Sequence, residues 1–424
     1  MIILMFASAL TWAQDSSDKT ATSSAASSSS GKEHADDHPH NAFGEEFRGH
    51  VSVTGDVQFQ NQYDDNVFAG SGGRRSGNLG NFSGRLSLNA QTRHTQWQLF
   101  YAPSVRISET GPDNGGASHQ AGLDLISRLS AATTMFAKGS VGIISSRNIP
   151  QQQYLLTAGE ALPVFYPELI TPGTRTLNPS ASFGLSHRIS ASDSLVVAVE
   201  GQANLLEPEK TMPMPQLLSD TYSGGLRAGF QHSLNAATSI GFSLQHRYLG
   251  FTSDTPHLNN EVASFNVEHR FGPRWQFSAG IGPSFLISRG EQTTSYSASA
   301  NLTRSSARLT YGLAYNDGVQ SSAVSSATTS RSVAASVSRT FARRWNTGAS
   351  FAYSQMSSEF ARGDASSYAG SATLRYAMTD QLGLTAGYSR VSQLSDGTFI
   401  AVNGFDRNVY SFGISYNLKE LFRY

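Results

Sequence analysis

Hydrophobic and polar positions alternate with a period of two over most of the chain from about Phe47 onward, the pattern of strands that present two unlike faces. In NVYSFGISYNL, Tyr410, Phe412, Ile414, Tyr416 and Leu418 share one face, and Val409, Ser411, Gly413, Ser415 and Asn417 share the other. QLGLTAGYS sets Leu382, Leu384, Ala386 and Tyr388 against Gly383, Thr385, Gly387 and Ser389. SIGFSLQHRY and SFNVEHRF repeat the arrangement, with Phe242, Leu244, Phe265 and Val267 on their apolar faces. Polar-tipped hairpins such as SHRISASDSLVVAVEG and EHRFGPRWQFSAGIG recur along the chain.

The alternating segments run to roughly 10–13 residues, longer than the ~5–6 of soluble strands and close to the ~9–11 that cross a bilayer. Short polar turns fall near His94, Ala131, Ala191, Asn235, Pro273, Ser305, Ala342 and Thr379. Longer Gly/Ser/Asn/Pro-rich stretches, such as YDDNVFAGSGGRRSGNLGN and GPDNGGASHQ, lie between them. Short turns at one end and long loops at the other are how outer-membrane barrels are built. The predicted fold is all-β: a transmembrane antiparallel up-and-down barrel with short periplasmic turns and long extracellular loops. Strands are expected to start near positions 51, 82, 95, 118, 132, 180, 193, 221, 237, 259, 274, 292, 306, 327, 344, 364, 380 and 404. That makes about 18 strands, or 16 if the Gly- and Ala-rich segments near Ala121 and Val333 do not form. Phe271 with Trp275, Phe341 with Trp345, and Tyr376 are placed to make an aromatic girdle beside the short turns.

Composition supports this reading. Hydrophobic residues are 39% and charged residues 15% of the chain, and there are 39 glycines. A large soluble core needs more Leu, Ile and Val, whereas a barrel needs only one apolar face per strand. The chain has no cysteine, which closes disulfide, thiolate-metal and Cys-nucleophile chemistry. Net charge is zero, so bulk charge gives no support to a nucleic-acid partner.

The start, MIILMFASALTWAQDSS, reads as a signal peptide over 1–13, with an apolar run from Ile2 to Leu10 and small residues suited to cleavage. Residues 14–46 read as a disordered periplasmic linker, Ser/Thr/Ala-rich and then His-rich; 47–424 is the barrel. His34, His38 and His40 beside Asp36 and Asp37 carry metal-ligand chemistry, but without a scaffold a solvated spacer is the preferred reading. No metal or cofactor is expected.

On this strand pattern, the signal-like start and a final amphipathic strand, the chain resembles a bacterial outer-membrane porin-like barrel. It is similar to the β-barrel porins found beside exopolysaccharide-export systems in Gram-negative bacteria, over roughly Phe47 to Tyr424. The resemblance implies an outer-membrane location and partners in outer-membrane lipid, lipopolysaccharide, the barrel-assembly machinery and periplasmic polysaccharide-export components; self-association into an oligomer stays open.

Barrels of 16–18 strands leave an aqueous channel, so the polar face is the functional surface. Alternation assigns to it Arg85, Arg93, Arg128, Lys138, Arg188, Arg227, Arg247, Arg270, Arg308 and Arg375, against Asp56, Asp124, Glu200 and Glu268. This basic excess predicts a mild anion preference or passage of acidic glycans; a ladder of Arg–Glu pairs that only sets register is the equal alternative. Arg93, Arg128, Arg188 and Arg270, with Arg304 and Arg339, sit just before short turns, where snorkelling to headgroups is favoured over a basic rim. The apolar loop 146–179, with Tyr154, Leu156, Phe165 and Tyr166, is a candidate constriction, and the stretch 204–220 is a second.

No GxSxG, HExxH or Walker-type loop is present, which argues against an enzyme. The expected function is an outer-membrane channel for polysaccharide or small, mildly anionic solutes. The alternative is a non-conducting barrel that serves as a surface adhesion scaffold.

Overall fold

The structure is a computed structural model, and it describes residues 50–66, 76–108, 116–145, 174–208, 220–252, 257–288, 291–320, 328–358, 363–395 and 404–423. These contain 18 strands. The first six are His50–Asp64 (β1), Gly77–Gln91 (β2), Thr95–Ser108 (β3), Gly116–Arg128 (β4), Thr133–Ser145 (β5) and Thr174–Arg188 (β6). Asp193–Pro208 (β7), Thr221–Ser233 (β8), Thr238–Phe251 (β9), Leu258–Phe271 (β10), Trp275–Ser288 (β11) and Glu291–Ser306 (β12) follow. The last six are Leu309–Gln320 (β13), Thr328–Phe341 (β14), Trp345–Ser358 (β15), Gly363–Ala377 (β16), Leu382–Ser395 (β17) and Phe405–Arg423 (β18).

Each strand pairs antiparallel with the next, and β18 pairs back onto β1, so the sheet closes and no edge remains. Closure is what lets a sheet enter hydrocarbon, because every backbone N–H and C=O then finds a partner inside the protein. Residues on opposite sides of each ladder keep the same parity around the whole circuit. Phe59 lies opposite Phe82 and Ile414, for example, and all three face outward, roughly half exposed.

The short turns explain the recurring polar tips. In five of them the first residue after the strand pair, or the one following it, is Thr92, Ser130, Ser190, Asn235 or Thr379. Its side-chain oxygen accepts the backbone N–H groups two and three residues on. That local bond replaces the ladder where the chain reverses. The FGPRW and FARRW turns use left-handed backbone instead: Gly272 has φ +70°, while Ala342 and Arg343 have φ +50° and +58°.

Besides Pro208 at the end of β7, three prolines lie within strands, and each interrupts one ladder while keeping the other. Pro103 pairs with His119 on β4, but the β2–β3 register skips its level; Pro179 and Pro283 do the same towards β7 and β10. A ring nitrogen without a proton cannot donate to that neighbour. All three face outward.

The strand count is 18, and the segments near Ala121 and Val333 do form strands. The alternation of short turns with long loops fails at two places: at the loop end β11 and β12 are joined by only two residues and β15 and β16 by four, no more than in the turns. The signal-peptide, linker and His-rich segments, the apolar loop candidates Tyr154, Leu156, Phe165 and Tyr166, and residues 209–219 of the second loop candidate lie outside the described residues.

Candidate functional site

The site is the lumen wall. Register places Arg85, Arg128, Lys138, Arg188, Glu200, Arg227, Arg247, Glu268, Arg270 and Arg375 on the inward parity, as alternation predicts. Two predicted members are corrected. Arg93 and Arg308 lie in the exposed turns between β2 and β3 and between β12 and β13, because the strands end a residue or more before them. Arg304 and Arg339 share the outward parity; Arg304 lies 5.3 Å from the Trp275 ring centroid and 5.8 Å from that of Tyr311.

The turn-end aromatics form the expected girdle. Phe271 opposes Trp275, and Phe341 opposes Trp345 in a parallel stack with centroids 6.2 Å apart; Tyr376 packs on Trp345 at 4.6 Å.

Inside, charge clusters on two sectors. On β7–β9, Glu200 faces Gly225, and Gly225 in turn faces Arg247. The missing Cβ at Gly225 leaves room that Glu200 uses: its Oε1 lies 3.3 Å from where that Cβ would stand. Gln245 donates to the same carboxylate at 3.3 Å, and Arg247 donates to Ser223 at 3.3 Å. Across the lumen, Asp56 opposes Arg85, whose guanidinium lies 4.8 Å from the Phe100 ring centroid. Lys138 pairs with Asp124 at 3.3 Å, both half-exposed, and Gln276 donates to Glu268 at 2.6 Å. By contrast, the inward faces of β13, β14, β15 and β17 carry no charged side chain among the described residues, and Ser, Ala and Gly dominate them.

The wall also changes along its length. Towards the turn end most inward side chains are partly exposed. Near the loop end they are buried: Ser332, Ser354, Ser367 and Gln393 on one sector, and Leu249, Phe251, Leu258 and Leu286 on another. A third buried sector is charged. Asp64 accepts from Arg407 through Nε at 2.9 Å and through Nη2, and Arg106 Nη2 stands 3.7 Å from the same carboxylate.

Sequence reasoning missed Asp64, Arg106 and Arg407. The signal was there: Arg106 shares parity with Ala102 and Ser104 between outward Tyr101, Val105 and Ile107, and Arg407 continues the Val409–Ser411–Gly413 face. With them, inward basic residues outnumber inward carboxylates, which are Asp56, Asp64, Asp124, Glu200, Glu268 and Glu291.

No protein-family model matches the chain, and no curated protein matches it. Among solved structures, it is similar to the outer membrane protein OpdK of Pseudomonas aeruginosa, at 12% identity and TM-score 0.45, over 86% of this chain and 98% of that one. It is similar to a BenF-like porin of Pseudomonas fluorescens Pf-5, at 12% identity and TM-score 0.46, over 87% and 98%. OccAB4 of Acinetobacter baumannii gives 10% identity and TM-score 0.45, over 87% and 98%. Likeness at this level carries no argument about substrate, and the architecture rests on this chain's own register. A closed, even-stranded antiparallel sheet, apolar outside and polar inside, with aromatics at its turn end, is a transmembrane β-barrel of the outer-membrane type.

Proposed function

We propose that the barrel is a passive diffusion channel for small solutes with a mild preference for anions. The observation that carries this reading is the excess of arginine and lysine on the inward parity, concentrated on β2–β5 and β7–β10. A ring of such charges lowers the barrier to anions more than to cations. An 18-strand circuit is wide enough to leave an aqueous bore. The burial of inward side chains near the loop end supports a path that is more restricted there than at the turn end. Passage of polysaccharide rests on the family resemblance alone; no inward aromatic ladder that would stack sugars is seen among the described residues beyond Phe100, Phe136 and Phe251.

Single-channel recording of the refolded protein in a planar bilayer under a salt gradient tests the reading, with a deletion of residues 151–171 for comparison. Steady conductance with an anion-selective reversal potential supports it. Conductance only after the deletion means a gated channel. Silence in both forms leaves the interaction scaffold.

A further inference from the structure

One recurring feature is left unused by a lumen function. Five of the eight strands that enter the short turns carry a histidine or arginine at one of their last two outward positions: His187 on β6, His232 on β8, His269 on β10, Arg304 on β12 and Arg339 on β14. The sequence shows it as SHRI, QHSL and EHRF. Register is the same each time, with His187 opposite Thr133, His232 opposite Asp193 and His269 opposite Thr238.

Each histidine is fixed by its Nδ1. That atom lies 2.9 Å from Thr133 Oγ1 in His187, 2.7 Å from Asp193 Oδ1 in His232 and 2.8 Å from Thr238 Oγ1 in His269. With Nδ1 engaged, Nε2 is the ring atom left for a ligand. At His187 and His269, a threonine hydroxyl donating to Nδ1 puts the ring proton on Nε2, which makes it a donor; at His232 the Asp193 carboxylate accepts from Nδ1–H, which leaves Nε2 of the neutral ring an acceptor. Asp193 is the acidic member of the row, and its carboxylate is occupied by His232, Ser190 and Ser192. Arg304 is held over Trp275 and Tyr311, and its Nε is buried without a hydrogen-bond partner.

These donors stand within the membrane contour rather than below it. Exposed apolar side chains flank them on both sides: Leu185 and Ile189 around His187, Phe230 and Leu234 around His232, and Phe271 beyond His269. Phe341 lies beyond Arg339 in the same way. A donor held between lipid-facing side chains has little water to bond and needs an acceptor from the lipid itself. Trp275 and Phe271 mark the interfacial level at which headgroups lie.

We propose that this arc, from β6 to β14 on the outer face of the turn end, binds the phosphodiester headgroups of anionic phospholipids. The Nε2–H groups of His187 and His269 and the two guanidinium groups would each donate to phosphate oxygens, and cation–phosphate pairs are charge-assisted. The proposal requires that the barrel span a membrane, not that it conduct.

The test is native mass spectrometry of the full barrel in detergent, titrated with phosphatidylglycerol or with phosphatidylcholine of the same acyl chains. Wild-type protein is expected to retain phosphatidylglycerol preferentially. Each arginine changed to glutamine (Arg304→Gln, Arg339→Gln) lowers that retention by about fivefold, the scale of one cation against an anionic lipid surface. Adding His187→Ala and His269→Ala removes the remaining preference. Arg304→Lys with Arg339→Lys keeps most of it. If the four-site variant does not fold, the two single arginine variants carry the test. Equal retention of the two lipids by the wild type, or unchanged preference in both arginine variants, overturns the proposal.

Discussion

Asp64 and Arg407 meet across the seam where the last strand closes on the first, 343 residues apart in sequence, with Arg407 Nε donating to Asp64 Oδ2 at 2.9 Å. Both side chains are fully buried, at 0% and 2% exposure. A buried pair contributes little net stability against an apolar substitute, but removing one partner strands the other charge at a cost of about 3–5 kcal/mol. Arg407→Met is therefore expected to destabilise the barrel by that amount, less whatever Arg106 recovers from its 3.7 Å approach to the same carboxylate. The measurement is denaturant unfolding in lipid vesicles, followed by tryptophan fluorescence. A loss below about 1 kcal/mol would show that the pair does not secure the seam, and Asp64→Asn combined with Arg407→Met should cost less than the sum of the two.

Lumen aromatics seat themselves on glycines of the next strand. The Phe136 ring on β5 occupies the space above Gly184 on β6, where an added Cβ would stand 2.2 Å from the ring and 2.9 Å from the Val197 carbonyl oxygen. Phe100 covers Gly122 in the same way, at 2.5 Å. The ring could swing aside, but the carbonyl cannot. Gly184→Val is expected to cost about 1–3 kcal/mol by overpacking. The reverse truncation, Phe136→Ala in the Gly184→Val background, should restore part of it. Additive effects in that double variant would contradict the packing.

The architecture was legible because it depends on a signal each strand carries for itself. Period-two alternation fixes which face of a strand is apolar, and the capped turns at Ser130, Ser190, Asn235 and Thr379 are visible as short polar residues between two alternating runs. Strand starts were less legible at β2 and β6, which begin at Gly77 and Thr174, several residues before the expected 82 and 180. There the strands extend into glycine-, asparagine- and threonine-rich sequence that has no apolar face to read. Arg93 and Arg308 were misplaced for the opposite reason: near a turn, parity alone does not tell the last ladder residue from the first turn residue. The seam cluster of Asp64, Arg106 and Arg407 needs the closure of β18 on β1, a relation between distant segments that alternation within either one does not contain.

The FARRW turn holds two non-glycine residues in the left-handed region, Ala342 at φ +50° and Arg343 at φ +58°. Each such residue costs about 1–2 kcal/mol relative to glycine in the folded state, and glycine returns about 0.5–1 kcal/mol of that through the entropy of the unfolded chain. Ala342→Gly is therefore expected to stabilise the barrel by roughly 0.5–1 kcal/mol. The matching FGPRW turn, with Gly272 already at φ +70°, supplies the control, since Gly272→Ala should destabilise by a similar amount. Same-sign effects at the two turns would remove backbone strain as the explanation.

The Glu200 cluster gives the sharpest test of selectivity, because acid and base there can be changed separately. Glu200→Gln removes the carboxylate to which Gln245 donates while Arg227 and Arg247 remain on the neighbouring strands, so reversal potential should move towards the anion limit. Arg227→Gln with Arg247→Gln should move it towards cations and by more, since two charges are lost. Asp124→Asn, in the half-exposed pair with Lys138, should shift selectivity in the same direction as Glu200→Gln while changing stability by less than about 1 kcal/mol. All three shifts should shrink as ionic strength rises from 0.1 M to 1 M, because the screening length falls from about 10 Å to about 3 Å. Recordings in symmetric and graded salt read these changes directly. If the acid and base variants move the reversal potential in the same direction, the wall charges serve register alone and another part of the lumen sets selectivity.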